Sequence, residues 1–164
     1  MDELDAALLA HLQADARLTN RDLAERVGVA PSTALERVRG LRARGVLQGY
    51  HADVALPALG RSVQALIAVR IRPPARHRIE AFRDFATNLP ETVAVFVVSG
   101  GEDFLVHVAV PDTNALYAFV IDRLTERPEV GDVRTSIVYE HLRRPVLEPL
   151  QPRPEQGPAR TDRR

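Results

Sequence analysis

Apolar residues recur at helical spacing near the start of the chain. Leu4, Leu8 and Leu12 are spaced four residues apart, which predicts an amphipathic helix from Leu4 to about Ala14. The apolar face of such a helix must be buried against a partner. Two further helices with typical capping residues follow it, so residues 4–47 are predicted to form a small helical unit.

The second and third predicted helices are joined by a short turn that contains a glycine. The second helix follows Thr19 or Asn20, whose side chains can cap its first amides, and it ends at Gly28. The third begins at Pro31, a residue favoured in the first helical turn, and extends to Arg44. Two helices joined in this way are typical of a helix-turn-helix, whose second helix enters the major groove of DNA.

Charge separates the third helix from the two that precede it. Residues 1–31 hold six acidic residues against three arginines, whereas the third helix holds four arginines against one glutamate. The acidic residues thus lie on the two supporting helices and the arginines on the third, here called the reading helix. Contact with DNA phosphates requires such a local positive charge. The alternative interpretation of this pattern is an ordinary solvated helix with an arginine-rich face.

The hydrophobic pattern changes between residues 61 and 142, where strand-like and helix-like segments alternate. The predicted elements are a strand, a helix, two strands joined by a hairpin, a helix and a strand, over Val63–Ile71, Ile79–Leu89, Val93–Val98, Phe104–Val110, Leu116–Leu124 and Val133–Tyr139. The order β-α-β-β-α-β is that of a ferredoxin-like domain. The chain is therefore assigned to the α+β class.

One face of the predicted sheet has no helix to cover it. In this fold both helices lie on the same face, yet Val93–Val98 is apolar at every position, so apolar side chains must also occupy the other face. Such a patch rarely stays exposed on a monomer, and a second copy of the chain can cover it. A homodimer is therefore predicted, which would present two reading helices to half-sites about one helical turn apart.

Composition narrows the class of protein. The chain has no cysteine and a net charge of zero, which excludes disulfides and thiolate metal sites and leaves any attraction to DNA to local patches. All of its 22 cationic residues are arginine, a bias that GC-rich codon usage also explains. The start of the chain is acidic and no 18-residue apolar run occurs, so a cytoplasmic protein without a membrane partner is expected. No cofactor or metal is expected either.

Motifs along most of the chain resemble those of the Lrp/AsnC (feast/famine) family of transcriptional regulators. The resemblance covers about residues 3–140 and is most specific in the N-terminal run. It is carried by Leu4-Asp5, Leu8-Leu9, Leu12–Asn20, Leu23–Val29, Pro31-Ser32-Thr33, Arg37-Val38, Leu41, Gly45–Leu47, Gly49-Tyr50, Gly100, Asp103 and Thr135-Ser136-Ile137.

The resemblance implies an N-terminal winged helix-turn-helix and a C-terminal sensor domain. It gives a DNA-binding domain at residues 1–50, a linker at residues 51–60 and a ligand-sensing and oligomerisation domain at residues 61–142. Dimers that assemble further into octamers are implied as well. Residues 143–164 are rich in proline and poor in apolar residues, so we predict that they form a disordered tail.

The resemblance also places contacts with double-stranded DNA on the third helix. The residues concerned are Ser32, Thr33, Glu36, Arg37, Arg39 and Arg42. Hydroxyl groups can reach phosphates or base edges, and arginines suit phosphates and guanine. Arg37 has an alternative role, which is to tie its helix to the neighbouring helices. Ala30 departs from the family, in which a serine commonly caps this helix.

An effector site is implied at the hairpin between the second and third strands. In similar proteins a small effector, an amino acid or a related metabolite, binds between sensor domains of neighbouring subunits. The corresponding residues here are Gly100, Gly101, Asp103, Thr135 and Ser136. Backbone amides at the glycines can approach a carboxylate, Asp103 can hold an ammonium group, and the hydroxyls can add contacts. The alternative is ordinary hairpin chemistry, which needs no ligand.

Two other functions share this two-domain plan. Decarboxylases of sirohaem metabolism resemble it, but they use histidines and arginines around a tetrapyrrole pocket, and the five histidines here are scattered singly. No catalytic residue is therefore assigned, and His107 is expected to be a satisfied residue within a strand. The other alternative is an architectural DNA-binding protein without an effector, which the sequence does not separate from a ligand-responsive regulator.

Overall fold

A computed structural model describes residues 1–150 of the chain as two compact units. The first unit comprises Met1–Ala52 together with the described residues from Arg143 onward, and the second comprises Asp53–Leu142. The division falls within the predicted linker, where Leu56–Leu59 form a short 3-10 helix. Among the described residues, no helix is both long and apolar enough to cross a membrane.

Three helices form the first unit: α1 (Glu3–Ala14), α2 (Asn20–Val27) and α3 (Pro31–Ala43). The start of α2 is fixed by a capping box in which Thr19 and Asp22 each bond the other's backbone amide. Its end is fixed by Gly28, whose φ of 71° is left-handed and favours glycine. The small core of the unit is formed by Leu8, Leu12, Leu23, Ala24, Ala34 and Val38. The predicted helix-turn-helix is confirmed.

The segment after α3 contains turns but no strand in residues 45–52. The amides of Val46 and Leu47 both donate to the carbonyl of Leu41, at 3.0 and 3.2 Å, which folds the chain back against the end of α3. A strand pair needs a second extended segment beside it, and residues 1–52 provide none. The expected wing is therefore not present as a strand pair within the described chain.

A four-stranded antiparallel sheet with helices forms the second unit. Its elements are β1 (Val63–Ile71), α4 (Arg76–Thr87), β2 (Thr92–Val97), β3 (Phe104–Val110), α5 (Thr113–Ala118), which continues as a π-helical segment (Phe119–Thr125), and β4 (Val130–Val138). The strand order is β2-β3-β1-β4. The predicted βαββαβ order is confirmed, and β4 begins three residues earlier than the sequence suggested.

Alternate side chains along the strands divide the sheet into two faces. The core face carries the buried positions of β1, such as Ile67 and Val69. It also carries the rings of Phe82 and Phe104, which pack at a tilt of 49° with their centroids 4.8 Å apart. The opposite face, here called the bare face, carries the intervening positions. The strand register places on it Gln64, Leu66, Ala68, Arg70, Ala94, Phe96, Leu105, His107, Ala109, Asp132, Arg134, Ser136 and Val138.

The chain beyond β4 returns to the helical unit. Residues 143–150 contain no helix or strand, but the side-chain amide of Gln13 on α1 donates to the carbonyl of Leu147 and accepts from its amide, both at 3.0 Å. The disordered tail at residues 143–164 stays a prediction. Residues 151–164 of the predicted tail lie outside the described residues.

Candidate DNA interface and effector site

The exposed side of α3 carries three of the residues predicted to contact DNA. Ala34, Val38 and Leu41 are buried and fix which side of α3 faces the core. At 100° per residue, Ser32, Glu36 and Arg39 project from the opposite side, and all three are exposed. We call these three residues the outer face of α3. Its polar groups are a hydroxyl, a carboxylate and a guanidinium within two helical turns.

Thr33 and Arg42 flank the outer face on either side. Thr33 is half-buried, whereas Arg42 is exposed. The Arg42 guanidinium lies 5.9 Å from the ring centroid of Tyr50, within the range of a cation–π contact. Tyr50 was not predicted as a site residue, although the Gly49-Tyr50 pair is among the family motifs of the chain. This contact orients Arg42 along the end of α3.

Arg37 and Arg44 point toward α1 and meet a buried acid there. The carboxylate of Asp5 is only 3% exposed, and it accepts from Arg37 Nη1 at 3.3 Å and from Arg44 Nη2 at 3.0 Å. Arg37 also bonds the carboxylate of Asp2. Of the two roles left open for Arg37, this geometry favours the structural one, in which it ties α3 to α1.

Asp2 has a second function as the N-cap of α1. Its Oδ1 accepts from the amide of Asp5 at 2.8 Å. This backbone hydrogen bond, together with the Arg37 guanidinium, lowers the pKa of Asp2 below its ordinary value. The sequence offered one signal for the cluster: Asp5 lies on the same stripe as Leu8 and Leu12, and an acid on a buried stripe requires a basic partner.

The arginines of α3 therefore form two pairs with different surroundings. Arg37 and Arg44 are held by acids of α1. Arg39 and Arg42 form no ion pair with any acid in residues 1–150. Among the arginines of α3, Arg39 and Arg42 are therefore the two whose charge is available to an external anion.

In the second unit, the predicted effector residues of the hairpin lie together. Gly100 and Gly101 are exposed, and Gly100 has a φ of 128°, a conformation that requires glycine. Asp103 fastens the hairpin to the sheet, because its Oδ2 accepts from the buried amide of Ile71 at 2.8 Å. Its own amide donates to the carbonyl of Val69 at 3.0 Å. One carboxylate oxygen of Asp103 thus has an intramolecular role.

The two predicted hydroxyl residues are not brought to the hairpin within one chain. Thr135 pairs with Ile67 and Ser136 pairs with Leu66, so they lie on opposite faces of β4. Because β1 lies between β3 and β4, the hairpin and β4 are separated by two strand spacings, about 9–10 Å. Because β1 lies between the hairpin and β4, a single small effector does not contact both of them in one subunit.

One ion pair does cross β1 on the bare face. Arg134 on β4 bonds Glu102 in the hairpin, and Ala68 of β1, whose small side chain lets them meet, is the register partner of Arg134. Neither Glu102 nor Arg134 was predicted from the sequence as a site residue. In residues 1–150, no group of three metal-binding side chains is present.

Comparison with known proteins agrees with this architecture. Residues 1–42 match the family model of the AsnC-type helix-turn-helix domain, and residues 64–146 match that of the Lrp/AsnC ligand binding domain. The chain belongs to the Lrp/AsnC family. It is thus an Lrp/AsnC-type transcriptional regulator with a DNA-binding helix-turn-helix and a ligand-binding domain, as the motifs indicated.

Individual relatives support the same assignment along nearly the whole chain. The chain is 40% identical to the HTH-type transcriptional regulator AldR of Mycolicibacterium smegmatis, over 87% of this chain and 84% of AldR. It is 34% identical to the leucine-responsive regulatory protein of Escherichia coli, over 87% of each chain. These relatives are named as regulators rather than enzymes, so the decarboxylase alternative is not supported.

A solved structure shows the same fold with a ligand. The crystal structure of a transcriptional regulator from Neisseria meningitidis in complex with L-Met matches with a TM-score of 0.81 and 33% identity, covering 88% of this chain and 93% of that one. The structure of AldR from Mycobacterium tuberculosis matches with a TM-score of 0.68 and 35% identity, covering 87% of this chain and 97% of that one.

Proposed function

We propose that the protein binds specific duplex DNA sequences through the outer face of α3 and that an amino-acid effector modulates this binding. The observation that carries the proposal is the exposed Arg39, which lies beside Ser32 and Glu36 on the side of α3 turned away from the core. A guanidinium can contact phosphate or guanine, and a hydroxyl and a carboxylate can contact base edges. A helix with these groups has the chemistry of a reading helix.

The acids of α1 do not cancel the charge of this reading helix. Asp2 and Asp5 accept from Arg37 and Arg44, so their negative charge is matched locally. Arg39 and Arg42 are left to meet a negatively charged groove. This division explains how a chain of zero net charge can attract DNA at one helix.

The bare face supports pairing of two chains. Its apolar side chains include Leu66, which is 37% exposed, and Phe96, which is 50% exposed, and they are continuous with Ala68, Ala94 and Leu105 across the sheet. Exposure of such a surface in water is unfavourable. A second copy offers an identical apolar surface, and a two-fold dimer positions two reading helices for two half-sites.

The effector proposal rests on the hairpin and on the relatives. One relative is named as leucine-responsive, and a similar structure holds L-Met. In this chain the amides at Gly100 and Gly101 can bind a carboxylate, and the second oxygen of Asp103 can accept from an ammonium group. Since β4 is too far from the hairpin, we propose that Thr135 or Ser136 reaches the effector from a neighbouring subunit.

Fluorescence anisotropy tests this function directly. DNA ligands are first selected from a random duplex pool, and Kd is then measured with each of the twenty amino acids at millimolar concentration. We expect at least one amino acid to change Kd by about fivefold or more, the usual range of allosteric coupling. Failure to select any sequence would contradict the DNA-binding proposal. A selected sequence with the same Kd across the panel would favour the effector-free architectural function.

A further inference from the structure

His107 is enclosed although it lies on the face of the sheet that has no helices. It is on β3, between Leu66 of β1 and Ala94 of β2 in the strand register, and it is only 8% exposed. Its Nε2 lies 3.0 Å from Gln64 Oε1. The ring of His141, which follows β4, packs edge-on against it with 5.8 Å between centroids.

The surroundings of His107 suit a neutral imidazole. Gln64 Oε1 is an acceptor, so Nε2–H donates to it, and no charge needs to be balanced. Protonation would add an N–H at Nδ1 and a positive charge beside His141. For these reasons, burial first and His141 second, the pKa of His107 is lowered from its ordinary value of 6.5.

Within residues 1–150, no acid forms a hydrogen bond or an ion pair with His107, whose side-chain partner is Gln64. The register partners Leu66 and Ala94 are uncharged, and Arg70 lies four residues from Leu66 along β1, about 13 Å away. The other charged or titratable groups of this face and its borders are Glu91, Asp132, Arg134 with its partner Glu102, Tyr139, Glu140 and His141. Glu91 lies beside Ala109, whose amide donates to the Glu91 carbonyl at 2.9 Å, and its buried Oε2 has no hydrogen-bond partner, so it makes no bond to His107. Asp132 pairs in register with Arg70, and Glu102 bonds Arg134.

We propose that the cluster of His107, Gln64 and His141 makes the pairing of two chains through the bare face depend on pH. The dimer forms while His107 is neutral and dissociates as it is protonated. This inference rests on the dimer proposed above. It goes beyond that dimer by assigning its pH response to one buried residue.

The sign follows from proton linkage. A partner that covers the bare face removes the remaining solvent from His107, so the charged form becomes more costly and the pKa falls further in the dimer. Pairing therefore releases protons, one from each chain, and is favoured by high pH. The two chains bind each other with full affinity at pH values above the pKa of His107 in the single chain, and this pKa lies below 6.5. The affinity decreases as the pH falls through that pKa. Two linked protons change the dissociation constant by at most about 100-fold per pH unit.

Analytical ultracentrifugation from pH 7.5 to 5.0 at constant ionic strength tests the proposal, with circular dichroism to verify folding at each pH. We expect the dimer dissociation constant of the wild type to increase progressively as the pH falls from 6.5 to 5.0, by no more than about 100-fold per pH unit. His107→Gln keeps a polar amide beside Gln64 but does not titrate, so its dissociation constant should be constant. The matched control is His77→Gln, at an exposed position of α4, and it should behave as the wild type.

A second variant reverses the expected sign. Gln64→Glu places a carboxylate beside His107, which balances an imidazolium at pH 6 but is an uncompensated charge at pH 7.5. This variant should dimerise better at the lower pH, a result that a purely structural role of Gln64 does not produce. Gln64→Glu also tests the pH dependence of dimerisation if His107→Gln does not fold.

Three results would overturn the proposal in distinguishable ways. A wild-type dimer whose dissociation constant is the same at every pH would remove the pH dependence but leave the proposed assembly intact. A wild type that is monomeric at every pH and concentration would remove the assembly itself. Retention of acid weakening in His107→Gln, or in Gln64→Glu, would show that another group is responsible.

Discussion

Replacement of Asp103 separates its role in folding from its proposed role in effector binding. Asp103 Oδ2 accepts from the amide of Ile71 at 2.8 Å, and Ile71 is 1% exposed. Asp103→Ala leaves this buried donor without its partner, which costs about 1–3 kcal/mol. Asp103→Asn keeps an oxygen acceptor in the same place and should lose less than about 1 kcal/mol. For a unit of this size, 1 kcal/mol corresponds to about 4–8 °C in Tm.

The same two variants should be equivalent toward the effector. Both remove the negative charge that is proposed to hold an ammonium group, so both should weaken effector binding by tenfold or more, as measured by calorimetry with the amino acid found in the panel. Differential scanning fluorimetry supplies the Tm values. An Asp103→Asn variant that loses as much Tm as Asp103→Ala would refute the stabilising role of the hydrogen bond to Ile71. Unchanged effector binding in Asp103→Asn, with Tm preserved, would remove Asp103 from the effector site.

Three predictions concern the helical unit. Ala30→Ser should stabilise it by about 0.5–1 kcal/mol, because Ala30 has the extended backbone of an N-cap but no side-chain hydrogen bond; an unchanged melting curve would contradict this. Asp5→Ala should destabilise it by about 1–3 kcal/mol, since it leaves Arg37 and Arg44 without their buried acceptor, and the partial exposure of both arginines keeps the loss below that of a fully buried pair. Asp2→Asn should make the free energy of unfolding less dependent on pH in the acid range. The pKa of Asp2 is lowered, so its contribution is complete above pH 4 and is lost as pH falls below 3.8 through its folded value; a wild-type acid transition in this variant would refute that role.

The local elements could be predicted because local chemistry determines them. Thr19 and Gly28 fix the ends of α2 through a cap and a left-handed residue, whatever the rest of the chain does. Alternation of apolar residues predicted β1 with its observed bounds. The turn residues before Phe104 predicted the hairpin that leads into β3. The order of elements then led to the sheet topology, since few arrangements of βαββαβ are known.

The contacts that define the sites depend on residues far apart in sequence and were not predictable in this way. The partners of Arg37 on α1 and of Asp103 on β1 are 32 or more residues away, and no periodicity encodes them. Thr135 and Ser136 are a different case. Adjacent residues of a strand point to opposite faces, so the sequence alone argued against placing both hydroxyls in one site of one chain.

The central claim is that Arg39 and Arg42 are the arginines of α3 that meet DNA. Its most direct test is the dependence of log Kd on log salt concentration for the double variant Arg39→Ala/Arg42→Ala on the selected duplex. If both arginines bind phosphates, affinity falls and the slope decreases by about 1.8, which is 0.9 for each phosphate that is no longer neutralised. The control Arg76→Ala/Arg123→Ala removes the same charge from exposed positions of the second unit and should keep the wild-type slope. Wild-type affinity and slope in the Arg39/Arg42 variant, or an equal loss in the control, would contradict the account.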